Sequence, residues 1–230
     1  MPTTVRPVEP GQGGAVAGAG GPASGARGHL RRDWTLAVAA GELVGFVPPA
    51  VTGATLAALG APDLALVVGL TLAGALEGLS VGVAQAAVLR RHLPGVDRRR
   101  WTRATMAGAA FAWLVGMGGG ALMGSDPASP ALLLVVMVPA WTAALLAMGF
   151  LQWRVLRVAV PRSGRWVPVN AGAWLLGVMI VVVALSAAPN SWPGAVHAGI
   201  GVAAAVCMGL TVGALTARTL AQLVADDHVA

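Results

Sequence analysis

The chain has 230 residues, 57% of them hydrophobic and only 10% charged, with a mean hydropathy of +0.75. A soluble domain is about 45–50% apolar and about 25% charged, so the composition excludes that class and points to a membrane protein. All 15 basic residues are Arg, and the absence of Lys excludes a retinal or pyridoxal Schiff base and the usual lysine of a phosphate-binding loop.

Residues 1–33 are Gly-, Ala- and Pro-rich at first and lack hydrophobic periodicity, which predicts a disordered cytoplasmic tail. No apolar run follows Arg6, so the tail does not read as a secretory signal. The cluster Gly11–Gly14 follows no strand and lacks the context of a nucleotide-binding turn.

Six apolar stretches follow, at 34–59, 64–89, 104–123, 131–153, 167–187 and 195–217. Each has about 20 residues or more, enough to cross a hydrocarbon core of about 30 Å. In lipid the backbone must satisfy its own hydrogen bonds, so these stretches read as helices. The expected fold is all-α and integral to the membrane, with a six-helix domain over 34–220 and a short tail over 221–230.

The connections alternate in charge. Asp63, Asp126 and Asn190 mark three links without Arg. The other two links hold Arg90, Arg91, Arg98, Arg99, Arg100 and Arg103, then Arg154, Arg157, Arg162 and Arg165; Arg27, Arg31 and Arg32 precede the first span and Arg218 follows the last. Basic loops stay inside, so both termini are expected in the cytoplasm. High Ala, Gly and Val content with Arg in place of Lys suggests a high-GC bacterial genome, hence the bacterial cytoplasmic membrane. A pI near 11.6 then reflects topology rather than nucleic acid. The Arg-rich loops are expected to meet anionic lipid headgroups, with a membrane-protein partner as a further possibility.

The second span ends Gly82-Val83-Ala84-Gln85-Ala86-Ala87-Val88-Leu89-Arg90, and the fourth ends Gly149-Phe150-Leu151-Gln152-Trp153-Arg154-Val155-Leu156-Arg157. Both fit G-x-x-Q-x-x-V-L-R, and the sixth offers Gly213, Thr216 and Leu220 as a weaker copy. In the odd spans Gly41-Glu42-Leu43-Val44-Gly45, Ala112-Trp113-Leu114-Val115-Gly116 and Ala173-Trp174-Leu175-Leu176-Gly177 align. These matches predict three parallel helical-hairpin repeats about an axis normal to the membrane. The run Gln152-Trp153-Arg154-Val155-Leu156-Arg157 with Trp166 and Trp174, and its counterpart from Gln85 through Arg90, Pro94 and Trp101 to Trp113, resembles a pattern in uncharacterised multi-pass bacterial membrane proteins. That resemblance implies a fold grouping and no activity. The paired helices are also similar to mitochondrial carriers, but their P-x-[DE]-x-x-[KR] signature is absent.

Glu42 and Glu77 are the only acids within the predicted spans, about 15 and 20 Å from the cytoplasmic ends along straight helices. Their spans form a hairpin, so the carboxyls are expected to face one another inside the bundle, with at least one protonated at neutral pH because two close carboxylates repel in a low dielectric. A central Asp, Lys or Arg costs about 2.5–3.5 kcal/mol on insertion scales, and such groups normally mark a function. In the repeat alignment Trp113 and Trp174 hold the Glu42 position, and Ala144 and Met208 the Glu77 position, so both acids belong to the first hairpin alone. The competing reading is structural: a protonated Glu bonded to a backbone carbonyl freed by Pro48 and Pro49.

Gln85 and Gln152 read as interhelical hydrogen-bonding glue, and Gly74, Gly78 and Gly82 as a close-packing face. Trp34, Trp101 and Trp166 read as interfacial anchors, Cys207 as a buried structural thiol, and His197 as a solvated or satisfied side chain. Neither a nucleophile–base set nor metal-ligand spacing is present; Ser80 beside Glu77 lacks a His. No catalytic residue, metal or cofactor is expected. The expectation is a non-enzymatic protein that transports or passes a proton or small cation, or alternatively a structural or regulatory subunit binding another membrane protein through its glycine faces.

Overall fold

The computed structural model describes residues 22–125, 130–189 and 191–227. The described elements are α1 (Pro22–Gly45), α2 (Val47–Ala58), α3 (Asp63–His92), α4 (Arg98–Ser125), α5 (Pro130–Leu156), a 3-10 turn (Ser163–Arg165), α6 (Trp166–Ser186) and α7 (Gly194–Asp227). They form six spans long and apolar enough to cross a membrane, with α1 and α2 sharing the first. Pro48 and Pro49 lack N–H groups, so the carbonyls of Val44 and Gly45 lose their helical donors and the span breaks at Phe46. Phe46 N–H still reaches the Glu42 carbonyl at 2.8 Å, and Ala50 N–H reaches the Phe46 carbonyl at 3.1 Å, so bonding continues across the break.

Neighbouring spans run antiparallel and close into a ring in which α7 packs back on α1. Glycines set the close approaches. Gly41 faces the Val81 backbone and Gly45 the Glu77 backbone, while Gly209 faces Ala39 and Gly213 faces Thr35. Gly74, Gly78 and Gly82 all face α4, meeting Trp113, Ala109 and Thr102. Large apolar side chains such as Val51, Leu64, Leu72, Val135 and Val183 point outward, a surface matched to hydrocarbon rather than water. At Gly78 a Cβ would stand 2.5 Å from the Ala109 Cβ and 2.9 Å from the Met106 Cα. No rotamer change relieves a backbone contact, so Gly78→Ala is expected to cost about 1–3 kcal/mol in detergent unfolding. Gly116→Ala, with nothing within 4 Å, is the neutral control; equal melting of the two variants would contradict this packing.

The ends that carry the described Arg residues gather at one end of the ring, here the Arg end. Its interior is layered. Leu89, Leu156 and Leu220, fully buried, form an apolar plug with Leu30, Val160 and Leu223. One turn further in, Trp34, Trp101 and Trp166 meet edge to face, their centroids 5.8–6.0 Å apart. Each indole N–H has a polar acceptor on the neighbouring span: Thr216 Oγ1 at 2.9 Å for Trp34, Gln85 Oε1 at 2.9 Å for Trp101 and Gln152 Oε1 at 3.1 Å for Trp166. Gln152 Nε2 donates to Gln85 Oε1 and Thr105 Oγ1, and Gln152 Oε1 also accepts from Asn170.

The three tryptophans are therefore not interfacial anchors. All are 0% exposed, because the ends of α1, α3, α5 and α7 run past the predicted boundaries and cover this layer. α1 begins at Pro22 and α7 continues to Asp227, so residues 22–33 and 221–227 are helical rather than tails; Leu30 and Leu223 hold them in the plug. Residues 1–21 and 228–230, with Asp126 and Asn190, lie outside the described residues. Cys207 is exposed on the outer face of α7, correcting the expected burial, because the inward positions there go to Ala204, Ala205 and Met208. At the start of α4, Asp97 Oδ1 accepts the Arg100 N–H at 3.0 Å. That bond, with the Arg99 N–H and the Arg100 and Arg103 charges, holds the Asp97 carboxyl below its usual range. The cap acts while Asp97 is ionised and is lost as pH falls through this lowered value.

Candidate functional site

On the far side of the tryptophan layer the ring widens into a cavity of about 350 Å³. Glu42 of α1 and Glu77 of α3 both line it. The break at Phe46 lies one turn beyond Glu42, and Gly45 lets α1 sit against the backbone of Glu77. Gly209 gives α7 the same closeness to Glu42, with a built Cβ 3.1 Å from the Glu42 Cβ. The acids are 0% and 6% exposed, turned into the bundle as expected.

Their partners differ. Glu77 Oε2 accepts the Trp113 indole N–H at 2.7 Å. Neither oxygen of Glu42 meets a fixed N–H or O–H donor among the described residues. The polar group beside it is the Glu77 carboxyl, and two carboxyls bond only through a proton held between them. The remaining wall is almost wholly apolar: Phe46, Val81, Met117, Leu145, Met148, Val181 and Met208, with the Trp113 and Trp174 indoles. Among the described residues Glu42 and Glu77 are the only ionisable ones that line it, with no Arg or His.

Gln85 and Gln152 do not reach this cavity. They meet each other within the tryptophan layer, at 3.2 Å, as interhelical glue. Gly74, Gly78 and Gly82 are consumed by the contact with α4, so that stripe is not free to receive a partner. His197 stands 3.4 Å from the Pro193 carbonyl, away from both sites. Among the described residues no group of three or more His, Cys, Asp or Glu could hold a metal ion.

The alignment of odd spans needs one correction. Trp34 precedes Glu42 by the same spacing that separates Trp101 from Ala109 and Trp166 from Trp174. The contacts agree: Gly209 meets Ala39 and Glu42 on α1, while Gly78, one residue after Glu77, meets Met106 and Ala109 on α4. Ala109, not Trp113, therefore stands level with Glu42, and Trp113 lies a turn deeper, where it bonds Glu77. The sequence reading also missed Thr105, Asn170 and the Trp113 contact. The spacing of Trp101 from Gln85 and of Trp166 from Gln152, 16 and 14 residues, was the available signal for the buried layer. Comparison with protein-family models, with curated proteins and with solved structures gives no match.

Proposed function

We propose that this chain is a non-enzymatic membrane transport protein that moves a proton or small cation, with Glu42 and Glu77 as its working site. One observation carries the reading: two carboxyls lie side by side on the wall of a cavity inside the bundle, and among the described residues no basic side chain lines it to neutralise them. Intramembrane acids are costly and are kept where they bind or relay charge. The plug and tryptophan layers draw matching residues from all three hairpins, and the acids come from the first alone. This contrast supports three parallel repeats in which the first hairpin has been specialised. The test is flux in liposomes across a pH gradient; absence of any proton or cation movement above protein-free vesicles would refute the reading.

The segregation of Arg supports the bacterial cytoplasmic membrane with both termini inside and the Arg end against anionic lipid. Ser163 is fully buried and unsuited to labelling, whereas Arg162 and Ser191 are exposed at opposite ends of α6 and its following link. In a Cys207→Ser background, Ser191→Cys is expected to react with an impermeant maleimide in intact cells and Arg162→Cys only after permeabilisation. Equal labelling of both in intact cells would overturn the topology.

A further inference from the structure

We infer that the cavity is a binding site for a small lipophilic ammonium ion, a primary or secondary amine carrying one compact aromatic or branched apolar group. The inference rests on the reading of the glutamate pair as the working site, and it names the class of cation.

Four features on the wall select this chemistry. Apart from a proton shared with Glu77, no N–H or hydroxyl among the described residues reaches the two buried oxygens of Glu42, and an occupant with N–H groups would satisfy them. Among the described residues no basic side chain lines the space, so an anion has no charged partner and a cation has two carboxyls. Apart from Thr105, whose hydroxyl is taken up by Gln152 and the Trp101 carbonyl, the rest of the wall is apolar, which suits an apolar body behind the charge. The Trp113 and Trp174 indoles line the same space, and aromatic side chains attract a cation. A volume of about 350 Å³ lies at the low end of ligand pockets, which run from roughly 300 to 1,000 Å³. One ring and a short aminoalkyl arm fit; a large polycyclic cation does not.

The portal adds an independent argument. Val178 and Val182 of α6 line the cavity and are 41% and 47% exposed, so it reaches the surface beside them. Val178 is 12 residues beyond Trp166, about 18 Å along the helix at about 1.5 Å per residue, and α6 continues to Ser186. The opening therefore faces hydrocarbon rather than headgroups. A hydrated inorganic ion does not approach through hydrocarbon, whereas an amine that partitions into the bilayer does. Binding is written as the protonated carboxyl pair plus R–NH₃⁺ giving a carboxylate–ammonium pair plus one proton released to solvent. No bond other than O–H breaks, and the net charge of the site is unchanged. Among the described residues, the titratable groups facing this site from α1, α3, α4, α5, α6 and α7 are Glu42 and Glu77 alone.

The test is isothermal titration of the full chain in nanodiscs with 2-phenylethylammonium, against neutral 2-phenylethanol and empty nanodiscs. One ammonium per chain should bind, the alcohol at least about tenfold more weakly, as the loss of a charge-assisted hydrogen bond requires. Affinity should rise by up to about tenfold per pH unit wherever one proton is displaced, and buffers of different ionisation heat should report that proton. Glu42→Gln should abolish ammonium binding while its circular dichroism and melting stay near wild type. Equal affinity for ammonium and alcohol, or ammonium binding unchanged in both Glu42→Gln and Glu77→Gln, overturns the inference. Glu77-dependent proton or sodium flux without ammonium binding also overturns it while leaving the transport reading intact. Ammonium binding without flux of any kind upholds it and removes transport.

Discussion

Glu77→Gln, reconstituted into liposomes and assayed with a pH-sensitive dye, is expected to lose proton-linked flux by at least about a hundredfold, the scale on which a positioned proton-transfer group acts. The amide keeps the shape of Glu77 and still accepts the Trp113 indole N–H, whose distance to Oε2 is 2.7 Å, so folding should survive. What it loses is the ability to titrate. Glu42→Gln should match it, because the two carboxyls are neighbours in one cavity. Trp113→Phe should fall between wild type and these variants, since it frees Glu77 from its donor but leaves both acids in place. Wild-type flux in Glu77→Gln would end the transport reading, whatever the ammonium titration shows.

Gln152→Leu is expected to produce the largest loss of stability among the substitutions considered. Gln152 makes four hydrogen bonds, two as donor and two as acceptor, to Gln85, Thr105, Trp166 and Asn170. Leucine removes the acceptor of two buried donors, the Trp166 indole and the Asn170 amide. Orphaned buried donors cost about 1–3 kcal/mol each, well above the roughly 0.6 kcal/mol typical of a single interhelical bond in a membrane. A total of roughly 2–4 kcal/mol should appear as a lower melting temperature in detergent, with a smaller loss for Thr216→Val, which removes the acceptor of Trp34 alone. Equal and small losses for both variants would show that the layer is held by indole packing rather than by its hydrogen bonds.

The six spans and the gathering of Arg at one end were legible because each depends on a local property: the length and polarity of a stretch, and the charge of a link. The inward turn of Glu42 and Glu77 was legible for a similar reason, since a short link between α2 and α3 leaves the two helices little choice but to pack. Trp34, Trp101 and Trp166 misled because a tryptophan near the end of an apolar run is usually interfacial. Their burial follows from helices that outlast their apolar runs, as α7 does in continuing past Arg218 to Asp227. That extension depends on packing between Leu30, Leu89, Leu156 and Leu223, residues far apart in the chain, which no sequence window contains. The Trp113 contact was hidden by a match that placed it one turn away, because Ala-Trp-Leu fixes a local motif and not its depth. Cys207 was misread because an apolar helix in lipid turns half its surface outward, and hydropathy does not tell the two faces apart.

Synthesis of this protein has an awkward interval built into its order of spans. Trp34 donates to Thr216, 182 residues later, and Glu42 is covered by Gly209. At about 5–20 residues per second, the ribosome needs on the order of 10–30 s to pass from one to the other. For the part of that time after α3 is made, the first hairpin waits for α7 with its acids unsheltered on the side that α7 will occupy. A chain stopped before α7 would display an acidic, unfinished face to lipid, the kind of surface that membrane proteases and insertion chaperones can distinguish from a closed ring.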